Sequence, residues 1–416
     1  MSGISKFHKT ISSSLSLKSY YLNIGKWFLG GQLSTLTSPI TLWHNGSTYS
    51  LGYENNITNN QVWIVKQTGF NIESNTVGIG TVAPEPLNHP TPLLIIDDLG
   101  YIYVIQNSFH VSPFNLWRSD NPEDISSFSL IGQFDTDGAY LTMISQNNTN
   151  AVFVTRNSLA SSDGFHQSIL EVNLLTAAYT KTQLTYADYN TTGIRHYPLF
   201  TYHKVGNSNI YYGFINHRRD SDLTYLKVSA WKSTDLVTFS NLDETFSKDV
   251  VSNGVLTNAE LEANFKFVES STNDLNRTIF QGAIQVDDDI YVAYNANNEI
   301  KIEKYLSGSA TPSDTYTFPT DIRGSFLYWN TTKIFVLVQD NTLDGISGIY
   351  SMDLDLTNLK LEAELKQGLD YETFSYYGIP NNLHEVPNGE YYLGIGRSDT
   401  TQTPEVGVVP YNVFKK

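Results

Sequence analysis

Apolar and polar positions alternate with a period of two in short runs, and the runs are separated by Gly, Asn and Asp. One β-rich, Tyr-rich run recurs along the chain. It appears as Ser47–Glu54, Tyr101–Ser108, Ala151–Ser158 and Asn209–Asn216, and returns as Asp289–Ala296, Lys333–Asp340 and Glu390–Arg397. Each copy is followed by a second strand candidate that carries the period-two alternation, for example Val62–Gln67, Phe114–Ser119, Leu223–Ser229, Glu299–Tyr305 and Gly348–Asp353.

A repeat of about 45–55 residues holding four short strands is the size of one propeller blade. The pattern therefore predicts an all-β chain: a seven-bladed β-propeller of four-stranded antiparallel blades. Paired sandwiches would not repeat at this length, and a β-helix repeats at about half of it. Lys26–Leu33 is a strand candidate without a partner in its own unit, and it is expected to close the ring by completing the last blade. Residues 1–25, rich in Ser and Lys, read as an N-terminal arm or anchor, and residues 26–416 as the propeller. The fourth and fifth copies stand farther apart than the others. Leu256–Ser270 is the one plausible helix there, inside an inter-blade insertion over 243–276.

Composition narrows the functions. At 416 residues the chain exceeds what one core usually supports, which suits a core spread over repeats. Aromatic residues make up 13%, with 27 Tyr and 21 Phe, as strands and flat sticky surfaces require. The net charge of −16 argues against nucleic acid as a partner. It leaves room for an anionic glycan, because a few local cations in a pocket outweigh a distant negative surface. Cysteine is absent, so thiol chemistry is excluded and any metal site would need His and carboxylates. No metal or other cofactor is expected. No stretch has the length of a membrane span, and the first residues lack the apolar core of a secretory signal.

Polar candidates gather in the second to fourth units. His89 and Pro92 precede a strand, His110 follows the next one, and Arg118 opens the stretch Arg118–Ile125. Tyr140 opens a strand pair and Arg156 ends the following run. Arg195, His196 and Tyr197 lie in the fourth unit, with Asn216, His217 and Arg218 beyond them. In this order and spacing the segment resembles the BNR-repeat propellers that include the ulvan-type polysaccharide lyases. The resemblance covers about residues 90–220 well and the remainder as blade rhythm. Two departures are Leu87 and Asn88, where the family often carries an acidic pair, and the absence of cysteine for the Cys/His zinc site of some relatives.

A lyase cleaving a uronate by β-elimination must stabilise charge at the sugar carboxylate, remove the C5 proton and protonate the leaving oxygen. Arg suits the first task through its fixed fork of donors, and His and Tyr suit the others. The catalytic set expected from the resemblance is His89, His110, Tyr140, Arg156 and Tyr197. Arg156 clamps the carboxylate, the histidines hold substrate or relay protons, and the tyrosines serve as base or acid. Arg195, His217 and Arg118 are candidates for substrate binding. Arg118 reads first as a brace for its Asp-containing turn, and His196 and His203 as surface strand residues. Lys232–Phe239 has the form of the Asp-box turn of BNR repeats, a structural device, and Asp287–Asp289 that of a hairpin turn.

Three functions follow. The chain is a depolymerase of anionic polysaccharide, a noncatalytic glycan-binding adhesin, or a structural protein. Without an export signal, a virion or otherwise extracellular location is expected, as for a phage tail fibre or spike. Residues 1–25 would then hold the other virion proteins. A bacterial lyase of the ulvan type is the alternative.

Overall fold

The computed structural model describes residues 41–55, 60–68, 71–78, 92–106, 113–135, 137–158, 165–187, 193–197, 202–205, 208–219, 224–269, 280–296, 299–318, 322–330, 332–340, 346–366, 391–395 and 409–413. They form a nearly all-β chain of sheets taken in sequence order. The first sheet holds β1 (Thr41–His44), β2 (Ser47–Asn55), β3 (Asn60–Thr68) and β4 (Asn71–Val77). The second holds β5 (Leu93–Ile96), β6 (Ile102–Gln106), β7 (Phe114–Ser119) and β8 (Phe128–Phe134). The third holds β9 (Gly138–Gln146), β10 (Asn150–Ser158), β11 (Phe165–Asn173) and β12 (Tyr179–Gln183), and is followed by the short β13 (Thr185–Tyr186).

The fourth sheet is larger. It joins β14 (Ile194–Tyr197) to β16 (Tyr211–Arg219), β17 (Thr224–Ser233), β18 (Thr238–Ser240) and β19 (Ser247–Asp249). Between β14 and β16 runs β15 (Tyr202–Val205), which pairs in parallel with the next sheet. After β19 come β20 (Leu256–Thr257), parallel to β13, then helix α1 (Asn258–Asn264) and β21 (Lys266–Glu269), which pairs with β17. The fifth sheet holds β22 (Phe280–Val286), β23 (Asp289–Ala296), β24 (Glu299–Tyr305) and β25 (Asp314–Phe318). The sixth holds β26 (Ile322–Asn330), β27 (Lys333–Asp340), β28 (Ile346–Asp353) and β29 (Lys360–Lys366). Last comes the pair β30 (Tyr391–Ile395) and β31 (Val409–Val413).

The seven recurring runs fall on β2, β6, β10, β16, β23, β27 and β30, and the runs that follow them on the strands paired next to these. The reason lies in burial. The second and third sheets lie between neighbours on both sides, so their second strands bury both faces and read as almost continuous apolar runs. In β5 and β6, Leu94, Ile96, Ile102 and Val104 pack toward the first sheet, whereas Leu93, Ile95, Tyr103 and Ile105 pack toward the third. In the third sheet Phe153 and Leu170 face back to the second, and Val154 and Ile169 face forward to the fourth. Strand β8 shows the opposite character and is largely solvent-facing. Such face-to-face stacking of four-stranded antiparallel sheets is that of a β-propeller. The first described strand, β1, lies against both β5 and β30.

The expected helix over 256–270 is shorter. Thr257 and Glu260 form a capping box that starts it, and Lys248 reinforces Glu260 at 2.7 Å. The aromatic stretch Phe265–Val268 leaves the helix, and Lys266–Glu269 pairs with β17 instead. Replacing Thr257 by Ala is expected to cost about 1 kcal/mol. A drop in thermal midpoint measures it, and an unchanged midpoint would mean that the cap contributes nothing. The Lys232–Phe239 segment, which resembles an Asp-box turn in sequence, forms the turn between β17 and β18. Asp235 Oδ1 accepts from the amides of Val237 and Thr238 at 2.9 and 2.7 Å, and Leu236 takes φ 58°. Asp287 turns the β22–β23 hairpin with φ 52°. The strand candidate Lys26–Leu33 and residues 1–25 lie outside the described residues.

Candidate functional site

Strand direction divides the molecule into two ends. At one end tight hairpins join the first strand of a sheet to the second and the third to the fourth, as at Asn45–Gly46, 97–101, 147–149 and 174–178. Asn45 and Gly46 sit at φ 45° and 80°, the left-handed pair a two-residue hairpin demands. At the other end lie the crossings from one sheet to the next and from the second strand to the third. This loop end gathers most of the expected site.

Tyr140 stands near the start of β9 and Arg156 near the end of β10, and Arg156 pairs in register with Ala139, next to Tyr140. Arg195 and Tyr197 lie in β14, and His217 and Arg218 near the end of β16, with Arg195 opposite Arg218, His196 opposite His217, and Tyr197 opposite Asn216. His89 and His110 lie outside the described residues, in the stretches joining β4 to β5 and β6 to β7. Arg118 is set apart. Near the end of β7 it belongs to the hairpin end, where its guanidinium lies 3.6 Å from the centre of the Tyr101 ring, a cation–π contact. Arg156 is 2% exposed, with Thr155, Asn157 and Gln167 buried around it. Gln167 is its cross-strand partner and donates to the Phe214 carbonyl of the fourth sheet at 3.3 Å.

A buried polar chain lies beside this. The Gln167 amide donates to Thr185 Oγ1 at 3.0 Å, and that hydroxyl meets His196 Nδ1 at 2.9 Å. His196 Nε2 meets Asn258 Oδ1 at 2.6 Å. With Asn258 Oδ1 accepting, His196 donates from Nε2. The sequence placed His196 on the surface. It is fully buried instead, because α1 covers it. His217 is also fully buried, edge-on to His196 at 4.8 Å and bonded to Ser229 at 2.9 Å. Its side chain, like that of Arg156, has almost no exposed surface.

Burial pushes His196 down to about 3 and His217 well below its ordinary 6.5. Both pKa values are lower folded than unfolded, so the unfolded chain binds more protons below about pH 6.5 and stability falls as the pH drops. Asp135 acts in the opposite sense. Burial raises it from 3.8 to about 6, so its contribution is lost as the pH rises through 6. Two histidines outweigh one carboxylate, and the thermal midpoint is expected to fall between about pH 6.5 and 5, less steeply in His217→Gln. A flat profile would contradict this.

Asp135 itself was not legible in the sequence. It links β8 to β9 at φ 43°, and Lys181 Nζ reaches Asp135 at 2.7 Å and Asp137 at 2.8 Å. A Cβ on Gly138 would collide with Asp135 Oδ2 and stand 2.8 Å from Thr155 Oγ1, so glycine is needed for this close approach next to Arg156. Among the described residues no cluster of His, Asp or Glu could hold a metal ion.

The stacked sheets and their polar loop end define a β-propeller. No protein-family model matches the chain, and no curated protein matches it in sequence. Among solved structures it is similar to a PL25 ulvan lyase bound to -[GlcA(1-4)Rha3S]-, with a TM-score of 0.68, 11% identity, and coverage of 95% of this chain and 96% of that one. It is also similar to the polysaccharide lyase Uly1, with a TM-score of 0.57, 10% identity, and coverage of 99% and 100%. An oligogalacturonate lyase in complex with manganese matches at 0.52 and 10% identity over 97% of each chain. Identities this low establish the shared fold alone.

Proposed function

We propose that the chain is a closed seven-bladed β-propeller that binds an anionic, uronate-containing polysaccharide at its loop end and cleaves it by β-elimination. One observation carries this: the arginines are segregated. Arg156, Arg195, Arg218, Arg219 and Arg323 stand near the loop end of their strands, and Arg118 alone among the described arginines stands near the hairpin end. Lysines show no such bias, and Lys66, Lys232, Lys304, Lys333 and Lys360 all stand near the hairpin end. In a chain of net charge −16 this concentrates the residues best shaped for carboxylate and sulfate on one face. The shared fold with lyases, one of them bound to a glucuronate-containing oligosaccharide, supports the same reading. For ring closure, the support is the contact of β1 with β30, with Lys26–Leu33 completing the last blade.

In this scheme Arg156 neutralises the uronate carboxylate, which acidifies the C5 proton. A tyrosine, Tyr140 or Tyr197, takes that proton. The C4–O bond then breaks, a C4=C5 double bond forms, and the departing oxygen receives a proton from the hydroxyl of the other tyrosine. His89 and His110 hold the substrate or relay the proton, and Arg195 binds a neighbouring acidic sugar. His217, buried against His196, supports β14 from beneath. Attachment to a virion through residues 1–25 rests on composition and on a segment outside the described residues. The test is the mass of the products released from uronate polysaccharides. Elimination leaves fragments whose new end is lighter by one water than a hydrolytic fragment. Hydrolytic masses would overturn the mechanism, and binding without any fragments would favour the adhesin.

A further inference from the structure

We infer that Tyr186 is a sugar-stacking platform that holds the glycan one strand outward from Arg156. This rests on the polysaccharide reading above and names a subsite within it. Among the described residues, the exposed large apolar side chains Leu99, Leu175, Tyr179, Leu306 and Leu361 lie in or beside the hairpins of the opposite end, Leu130 lies within the outer strand β8, and Val251 follows β19. Tyr186 is 38% exposed and lies at the loop end, on the passage from β12 to β14.

Its setting is built rather than incidental. One ring face is stacked on His166, with centroids 4.9 Å apart and planes 18° apart. His166 is fully buried and its Nδ1 accepts the Ala187 amide at 3.1 Å, which fixes the imidazole beneath the tyrosine. The backbone is held as well: Tyr186 pairs with Thr257 in the parallel β13–β20 ladder, and the Leu256 amide donates to the Leu184 carbonyl at 2.9 Å. The ring is therefore held at a fixed tilt and loses little freedom on binding. A flat aromatic face at fixed tilt suits the C–H face of a pyranose, which is apolar although the sugar is charged at its edge.

The position follows from the strand order. His166 pairs with Asn157, the residue after Arg156, so Tyr186 lies beside the third strand whereas Arg156 lies on the second. A chain crossing from the central channel toward the rim meets Arg156 first and Tyr186 next. Short oligosaccharides end before reaching the ring, and longer ones cover it.

The experiment measures binding of ulvan and of its disaccharide and hexasaccharide to the unaltered protein, Tyr186→Phe and Tyr186→Ala. Tyr186→Ala is expected to bind the hexasaccharide about five- to tenfold more weakly and the disaccharide as the unaltered protein does. Tyr186→Phe, which keeps the ring, should behave as the unaltered protein. Equal hexasaccharide affinity in Tyr186→Ala overturns the inference, as does equal loss for both lengths. If the unaltered protein binds the hexasaccharide through Tyr186 and releases no unsaturated product, the platform stands and the lyase reading fails. If it binds none of the probes, both readings fail.

Discussion

Arg156→Ala is expected to abolish turnover of uronate polysaccharide, by at least about 100-fold, because it removes the group that stabilises charge on the sugar carboxylate. The same substitution empties a nearly fully buried site and is expected to cost about 2–4 kcal/mol of stability. The two effects are separable. Arg156→Met keeps most of the volume and no charge, so it should recover much of the lost stability and none of the activity. Arg156→Lys keeps the charge without the fork of donors, and partial activity is expected. Full activity in Arg156→Met at an unchanged melting temperature would make Arg156 a packing residue.

The second large effect lies in the core of the fourth sheet. Trp231 is fully buried, packs edge-on against Phe239 at 5.1 Å, and covers Gly213. A Cβ at position 213 would collide with the indole, which leaves no room for any side chain. Trp231→Ala is expected to cost about 3–5 kcal/mol by leaving a cavity. Gly213→Ala is expected to cost about 1–3 kcal/mol or more by overpacking. The two are coupled: in the Trp231→Ala background the added methyl enters the vacated space, and most of the Gly213→Ala cost should vanish. A double-mutant cycle in denaturant measures this, and additive costs would contradict the contact.

Much of the strand pattern was legible because a blade strand has to be apolar on both faces. The nearly continuous apolar runs in Tyr101–Ser108 and Ala151–Ser158 mark β6 and β10 for this reason, and the alternating runs that follow such copies mark third strands. The short fourth strands were harder to see. Strand β8 is largely solvent-facing, so its sequence obeys few constraints. The helix start was written in Thr257 and Glu260, but its end depended on β17 competing for residues 266–269, which no local signal shows. Arg118 illustrates the same limit at the site. Its spacing from His110 brings it close along the chain, yet the direction of β7 carries it to the opposite end, onto Tyr101. His166, Asn258 and Asp135 escaped notice because their roles arise from contacts between sheets. The spacing of Thr185, His196 and Asn258 along the chain gives no hint that one hydrogen-bond chain joins them.

Elimination on a uronate glycan at the arginine-rich loop end would be read out by ultraviolet absorbance. The unaltered protein, Arg156→Met and His110→Ala are incubated with a panel of uronate polysaccharides, and the conjugated double bond of the unsaturated uronate is followed over time. A rise is expected with the unaltered protein and its loss in both variants, while their melting profiles remain those of folded proteins. No rise on any uronate substrate, or a rise that survives Arg156→Met, would contradict elimination at this end.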